Sequence, residues 1–171
     1  MGTSTAKLSQ FEQPYPPLDK PPDYIGVQVF GGAVRLSRPK NWVIRSASNV
    51  PEKRYIEYVS PDQYVVAIYE RLESPWDPWR VVMHRYEQDV ERSGGVLLSK
   101  GVPMATWNAQ GRAYLVERPV TAPKSPLEAH SREYLLRSDE RIVLLQVVHP
   151  GKSVQPISAE LLRPLSTMQV Y

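Results

Sequence analysis

The chain has 171 residues, enough for one domain with a buried core, and its 42% hydrophobic and 23% charged residues fit a globular protein. It contains no cysteine, which excludes a disulfide framework, a thiolate nucleophile and a Cys-ligated metal. The net charge of +3 is mild, and the basic residues are scattered, with Arg35, Arg38 and Lys40 the densest group. No basic stripe marks a nucleic-acid partner, and none is expected.

Residues 1–23 are small and polar at first and then carry Pro14, Pro16, Pro17, Pro21 and Pro22. Proline fixes φ and restricts the residue before it, so this stretch reads as an extended, polyproline-like N-terminal arm or linker. Residues 24–171 read as a single domain behind it. Pro16 and Pro17 are candidate contacts for a partner that takes polyproline segments. No run of 18 apolar residues spans a membrane. Met1-Gly2 suggests myristoylation, but Ala6 stands where that signal needs Ser or Thr. No signal peptide is visible.

Tyr24–Phe30 alternates with period two and reads as a strand, Gly31-Gly32 as a two-residue hairpin turn, and Ala33–Leu36 as the return strand. Pro39-Lys40-Asn41-Trp42 leads into Val43–Arg45, and residues 46–53 read as a loop. Arg54–Ser60 and Gln63–Arg71 are strands joined at Pro61-Asp62. Asp77 is the expected N-cap of a helix with Pro78 at its first position. Trp79, Val82, Met83, Tyr86 and Val90 make its apolar face, and Gly94-Gly95 stops it.

Strands return over Val96–Lys100, Met104–Asn108, Arg112–Arg118, Ser131–Arg137 and Arg141–His149. Ala109-Gln110-Gly111 and Ser138-Asp139-Glu140 are the expected hairpin loops, and Thr121–Leu127 a surface loop. Ile142–Val148 is nearly all apolar, which places it centrally in a sheet with helices covering one or both faces. A short helix over Ser158–Leu162, with Ile157, Leu161 and Leu165 inward, should end or kink at Pro164. These elements predict an α+β fold with a mainly antiparallel sheet and few helices.

Few residues suggest chemistry. His84, His130 and His149 lack the spacing of a metal motif and could meet only in three dimensions. No nucleophile elbow, phosphate loop or dinucleotide fingerprint is present, and no cofactor is expected. Glu117 and Glu133 alternate with Leu115 and Leu135, so both could project from one sheet face as an acid–base pair, or pair instead with Arg112, Arg118, Arg132 and Arg137. Trp79 and Trp107 are assigned to the helix face and to a strand. Trp76 precedes the N-cap. It is either a hydrophobic staple on the helix or an exposed anchor for a partner.

The order of elements, with Pro39-Lys40-Asn41-Trp42, Gly111-Arg112-Ala113-Tyr114, Arg132-Glu133-Tyr134-Leu135-Leu136, Ile142-Val143-Leu144-Leu145 and the closing Leu165-Ser166, resembles the PsbP and Mog-type family over roughly residues 25–170. The resemblance implies an αβα sandwich on a central antiparallel sheet, and a protein that acts by docking on other macromolecules. No metal, calcium or Ran-binding residues of the family have counterparts here.

Three functions follow as expectations. The first is a non-catalytic protein-interaction or scaffolding domain on a bacterial periplasmic lipoprotein, its signal peptide and lipidated Cys missing from this sequence. Met1 would then replace that Cys, Gly2-Thr3-Ser4-Thr5 would be the small polar start of the mature chain, and the lipid would be its only membrane contact. The second is a cytosolic adaptor for a protein partner. The third is a small hydrolase or ligand carrier using the sheet face around Glu117 and Glu133.

Overall fold

In the computed structural model the period-two segments pair into two antiparallel sheets. Residues 8–16, 22–62, 64–120, 127–150 and 159–171 are described. Among them, β1 (Glu12–Pro14), β2 (Tyr24–Val29), β3 (Val34–Pro39) and β12 (Gln169–Val170) form a four-stranded sheet in the order β1-β2-β3-β12. The larger sheet contains β4 (Val43–Val50), β5 (Lys53–Val59), β6 (Val65–Arg71), β7 (Val96–Leu97), β8 (Val102–Ala105), β9 (Gln110–Val120), β10 (Leu127–Arg137) and β11 (Ile142–Pro150). Its order is β4-β5-β6-β11-β10-β9-β7, with β8 also on β9. Two α-helices complete the described residues, α1 (Trp79–Arg92) and α2 (Ala159–Thr167).

The apolar run of β11 does sit at the centre of the large sheet, between β6 and β10. Its Val143, Leu145 and Val147 face the small sheet, whose Val27, Val29, Val34 and Leu36 share the main core with them and with Trp42 and Tyr58. Ile142 and Leu144 face the other way, under Val82, Tyr86 and Val90 of α1. Alternation sends successive side chains to opposite faces, so a strand apolar on both faces needs two covers.

The two covers differ from those expected. The αβα sandwich is not formed. A second β-sheet covers one face and a single helix the other, because β2 and β3 turn their alternate valines and Leu36 onto the large sheet. The protein is therefore a β-rich fold, two antiparallel sheets face to face, with α1 on the outer side of the larger. Helix α2 lies at the edge of the small sheet, where the Ser37 amide donates to Thr167 Oγ1 at 3.1 Å.

The arm is tied down in its middle. Residues 8–16 belong to the folded body: β1 pairs with β2 in the register Glu12↔Val29, and Tyr15 N–H donates to the Gly26 carbonyl at 2.9 Å. Pro14 suits this edge strand, where an absent N–H leaves no ladder bond unmade. The deciding residue is Glu12, whose carboxylate accepts from the buried guanidinium of Arg38 and, at 2.6 Å, from the Tyr58 hydroxyl. Burial, and then the adjacent Glu12 carboxylate, hold the Tyr58 phenol well above its ordinary pKa. On the same sheet the Arg35 guanidinium sits 4.5 Å from the Tyr15 ring centre and 4.8 Å from that of Tyr171.

Other local differences have local causes. Residues 46–50 form most of edge strand β4, which needs backbone pairing to β5 on one side only, and a bulge at Arg45 absorbs the irregularity. The first hairpin turns through four residues, Phe30 to Ala33, so that Val29 pairs with Val34. The turn before β9 is Thr106–Ala109, three residues upstream of the predicted one. Pro78, not Asp77, holds the N-cap position of α1, without a side-chain cap, because the Asp77 carboxylate is taken by Arg85 at 2.5 Å. The other end is as read. Gly94 adopts φ +81°, its N–H donates to Glu91 O, and Gly95 N–H donates to Val90 O, a Schellman stop. Helix α2 continues through Pro164 to Thr167. Ile157, Ser158 and the expected loop at 121–126 lie outside the described residues.

Candidate functional site

Three places gather the residues that the sequence singled out. The first is the pair Glu117 and Glu133. In the β9–β10 register Glu117 is opposite His130 and Glu133 is opposite Tyr114. Residues 130 and 133 are an odd number apart, so their side chains, and with them the two carboxylates, point to opposite faces. The single-face acid–base pair is not formed. Glu133 is fully buried beneath α1, where it accepts from Arg118 Nε at 2.5 Å, Arg118 Nη2 at 2.7 Å, the Tyr86 hydroxyl at 2.6 Å and Gln146 Nε2 at 3.3 Å. Burial, and then the Glu133 charge, raise the Tyr86 pKa far above the ordinary phenol value. With four donors from three residues on its carboxylate, Glu133 is a structural anchor between helix and sheet.

A groove of about 880 Å³ lies beside this network on the outer face, lined by Arg54, Tyr69, Arg71, Asp89, Arg118 and others. Its charges neutralise one another: Arg71 with Asp89 at 2.8 Å, Arg54 with Glu70 at 3.5 Å, Arg118 with Glu133. It offers a ligand no uncommitted cluster of one sign.

The histidines give the second place. His130 and His149 are directly opposite on β10 and β11, facing the small sheet, with Glu117 opposite His130 on the other side. The His149 ring lies 5.2 Å from that of buried Tyr64, and burial, followed by the nearby Arg132 charge, lowers its pKa. His84 is exposed on α1, away from both. Among the described residues no group of three or more His, Asp or Glu is arranged to hold a metal ion.

The third place lies at the end of the large sheet, around Trp76. The segment between β6 and α1 brings Pro75 to Pro78 against the turns Thr106–Ala109 and Ser138–Arg141 and against Val170 and Tyr171, enclosing a groove of about 620 Å³. Each wall is braced. Ser138 Oγ accepts the Glu140 amide at 3.2 Å and the Arg141 amide at 3.3 Å. The Asn108 side-chain amide donates to Val170 O at 3.0 Å and accepts from Val170 N at 2.8 Å, closing the outer edge of β12. Arg137 Nη1 donates to Asp77 O at 2.6 Å while its guanidinium lies 4.1 Å from the Trp79 ring centre, with Arg112 4.4 Å from the same ring. Burial, and then Arg112, lower the Arg137 pKa.

Within that frame Trp76 is 81% exposed. It is not a staple on α1. Trp107, expected on a strand, is on the Thr106–Ala109 turn and is 61% exposed. Of the other suggested partner contacts, Pro16 is exposed just beyond β1 and does not line the groove, and Pro17 lies outside the described residues. The sequence singled out Trp76 but not its neighbours in the groove, because these come from four separate turns and strands.

No helix among the described residues is long and apolar enough to cross a membrane. Compared with models of known protein families and with curated protein sequences, the chain matches none.

Proposed function

We propose that this domain is a non-catalytic docking module which takes a segment of another protein in the groove at Trp76. One observation carries the reading: an 81% exposed tryptophan on a braced, concave surface. A large aromatic left in water lowers no folding energy, whereas covering it does. Burying an indole of about 200 Å² at about 25 cal/mol per Å² contributes on the order of 4–5 kcal/mol. Tryptophans are accordingly the commonest binding hot spots. Pro75, Pro78 and Tyr171 around it extend the surface with little side-chain entropy left to lose.

Periplasmic anchoring through a lipid belongs to the same proposal. Its support is the small polar stretch Gly2-Thr3-Ser4-Thr5 ahead of the folded part of the arm. Mass spectrometry of the protein isolated from its native membrane fraction tests it; a mature chain without lipid rules it out.

The docking reading is tested with Trp76→Ala. A partner captured by the wild-type domain is purified, and its affinity for both proteins is measured. Loss of at least tenfold is expected, since a hot-spot truncation costs about 2 kcal/mol or more. Equal affinities would show that the groove is not the docking site.

A further inference from the structure

We propose that the segment taken by this groove is basic, with a lysine or arginine side chain laid on the Trp76 indole and its charge held by Asp139 and Glu140. The inference rests on the docking reading and adds the chemistry of the partner.

Four charged side chains line the groove: Asp77, Arg137, Asp139 and Glu140. Two are already engaged inside the protein. The Asp77 carboxylate accepts from Arg85, and Arg137 is held by the Asp77 carbonyl and the Trp79 ring. Asp139 is exposed and makes no ion pair among the described residues. Glu140, with its side chain 75% exposed, reaches only Arg141, at 3.9 Å. The carboxylates of the groove left facing solvent are therefore Asp139 and Glu140, the latter only loosely matched by Arg141, while the Arg137 guanidinium is turned onto the Trp79 ring.

An indole face attracts a cation, more strongly than any other aromatic side chain, and a concave wall of one sign concentrates ions of the other. An acidic segment would be repelled by both carboxylates. A wholly apolar one would strip water from them without replacing it. A cationic side chain satisfies the ring and the carboxylates together.

The test uses the full chain labelled with ¹⁵N. The indole N–H resonance of Trp76, assigned by its loss in Trp76→Phe, is followed during titration with acetyl-(Gly-Lys)₄-amide and, separately, acetyl-(Gly-Glu)₄-amide. A saturable shift with the lysine peptide alone is expected, weakened at least tenfold in the Asp139→Asn/Glu140→Gln variant. Both side chains are exposed, so that variant should fold as the wild type does, and its unchanged amide spectrum verifies this. No saturable shift with the lysine peptide, equal or tighter binding of the glutamate peptide, or an affinity unaltered by the double substitution would each overturn the proposal. The docking reading stands or falls separately, on whether Trp76→Ala weakens capture of the natural partner.

Discussion

Glu133→Gln offers the sharpest check on the energetics of the fold. The substitution keeps the shape of the side chain and removes its charge. One oxygen becomes an NH₂ group, a donor facing the donors of Arg118 and Tyr86, which now approach at 2.5–2.7 Å. Breaking one side of a buried ion pair typically costs about 3–5 kcal/mol. Arg118 keeps the Ser93 hydroxyl at 3.0 Å and a side chain 21% exposed, so part of its charge remains solvated. A loss of about 2–4 kcal/mol is the result. At about 2–4 °C per kcal/mol for a chain of this size, the melting temperature should fall by roughly 5–15 °C. Urea unfolding followed by tyrosine and tryptophan fluorescence gives the free energy directly. The double variant Glu133→Gln/Arg118→Met should recover much of the loss, because removing both partners leaves no orphaned charge. A single variant within about 0.5 kcal/mol of wild type would refute the reasoning, since surface changes fall in that range.

Glu12→Gln should cost about 2 kcal/mol by orphaning Arg38, and hydrogen exchange at the Tyr15 amide should speed up more than exchange in β11; uniform acceleration would mean the arm is not a separate unit. Gly111→Ala puts a Cβ 2.9 Å from the Leu135 carbonyl oxygen and against Met104, so a loss of about 1–3 kcal/mol is expected in chemical denaturation, and no change would show the strands can part freely. Trp76→Ala should leave stability within about 0.5 kcal/mol, because the ring is solvated; a larger loss in the same assay would make Trp76 a packing residue. His149 has a folded-state pKa below its unfolded value of about 6.5, so the unfolded chain binds more protons below that pH. Its contribution is complete above about pH 6.5 and is lost as pH falls from there towards the lowered folded pKa; His149→Phe should flatten that part of the stability curve, and an unchanged slope would assign it to other groups.

Much of the fold could be read from periodicity and turn chemistry. The Ile142–Val148 run placed β11 centrally, and Val82, Tyr86 and Val90 marked the buried face of α1. Gly94-Gly95 marked its end. What could not be read was pairing between distant segments. Period two identifies β2 and β3 as strands but does not say that they leave the large sheet for one of their own, so the second cover was assigned to helices. Glu12 looks solvated in a proline-rich segment until Arg38 is brought beside it by the β2–β3 hairpin. Whether Glu117 and Glu133 share a face turns on the parity of a register that no local residue announces. The groove was legible only as Trp76, an aromatic with no place on the helix face.

The pairing of β3 with β12 has a consequence for the protein during its own synthesis. Ser37 and Thr167, joined by a hydrogen bond beside this pair, are 130 residues apart in the chain. At 5–20 residues per second a ribosome needs roughly 7–26 s to cover that distance. From its exit from the tunnel until β12 follows, the outer edge of β3 has no strand to receive it. Nascent chains crowded on one messenger therefore expose a ready template for pairing with each other, and the arrival of β12 is what retires it.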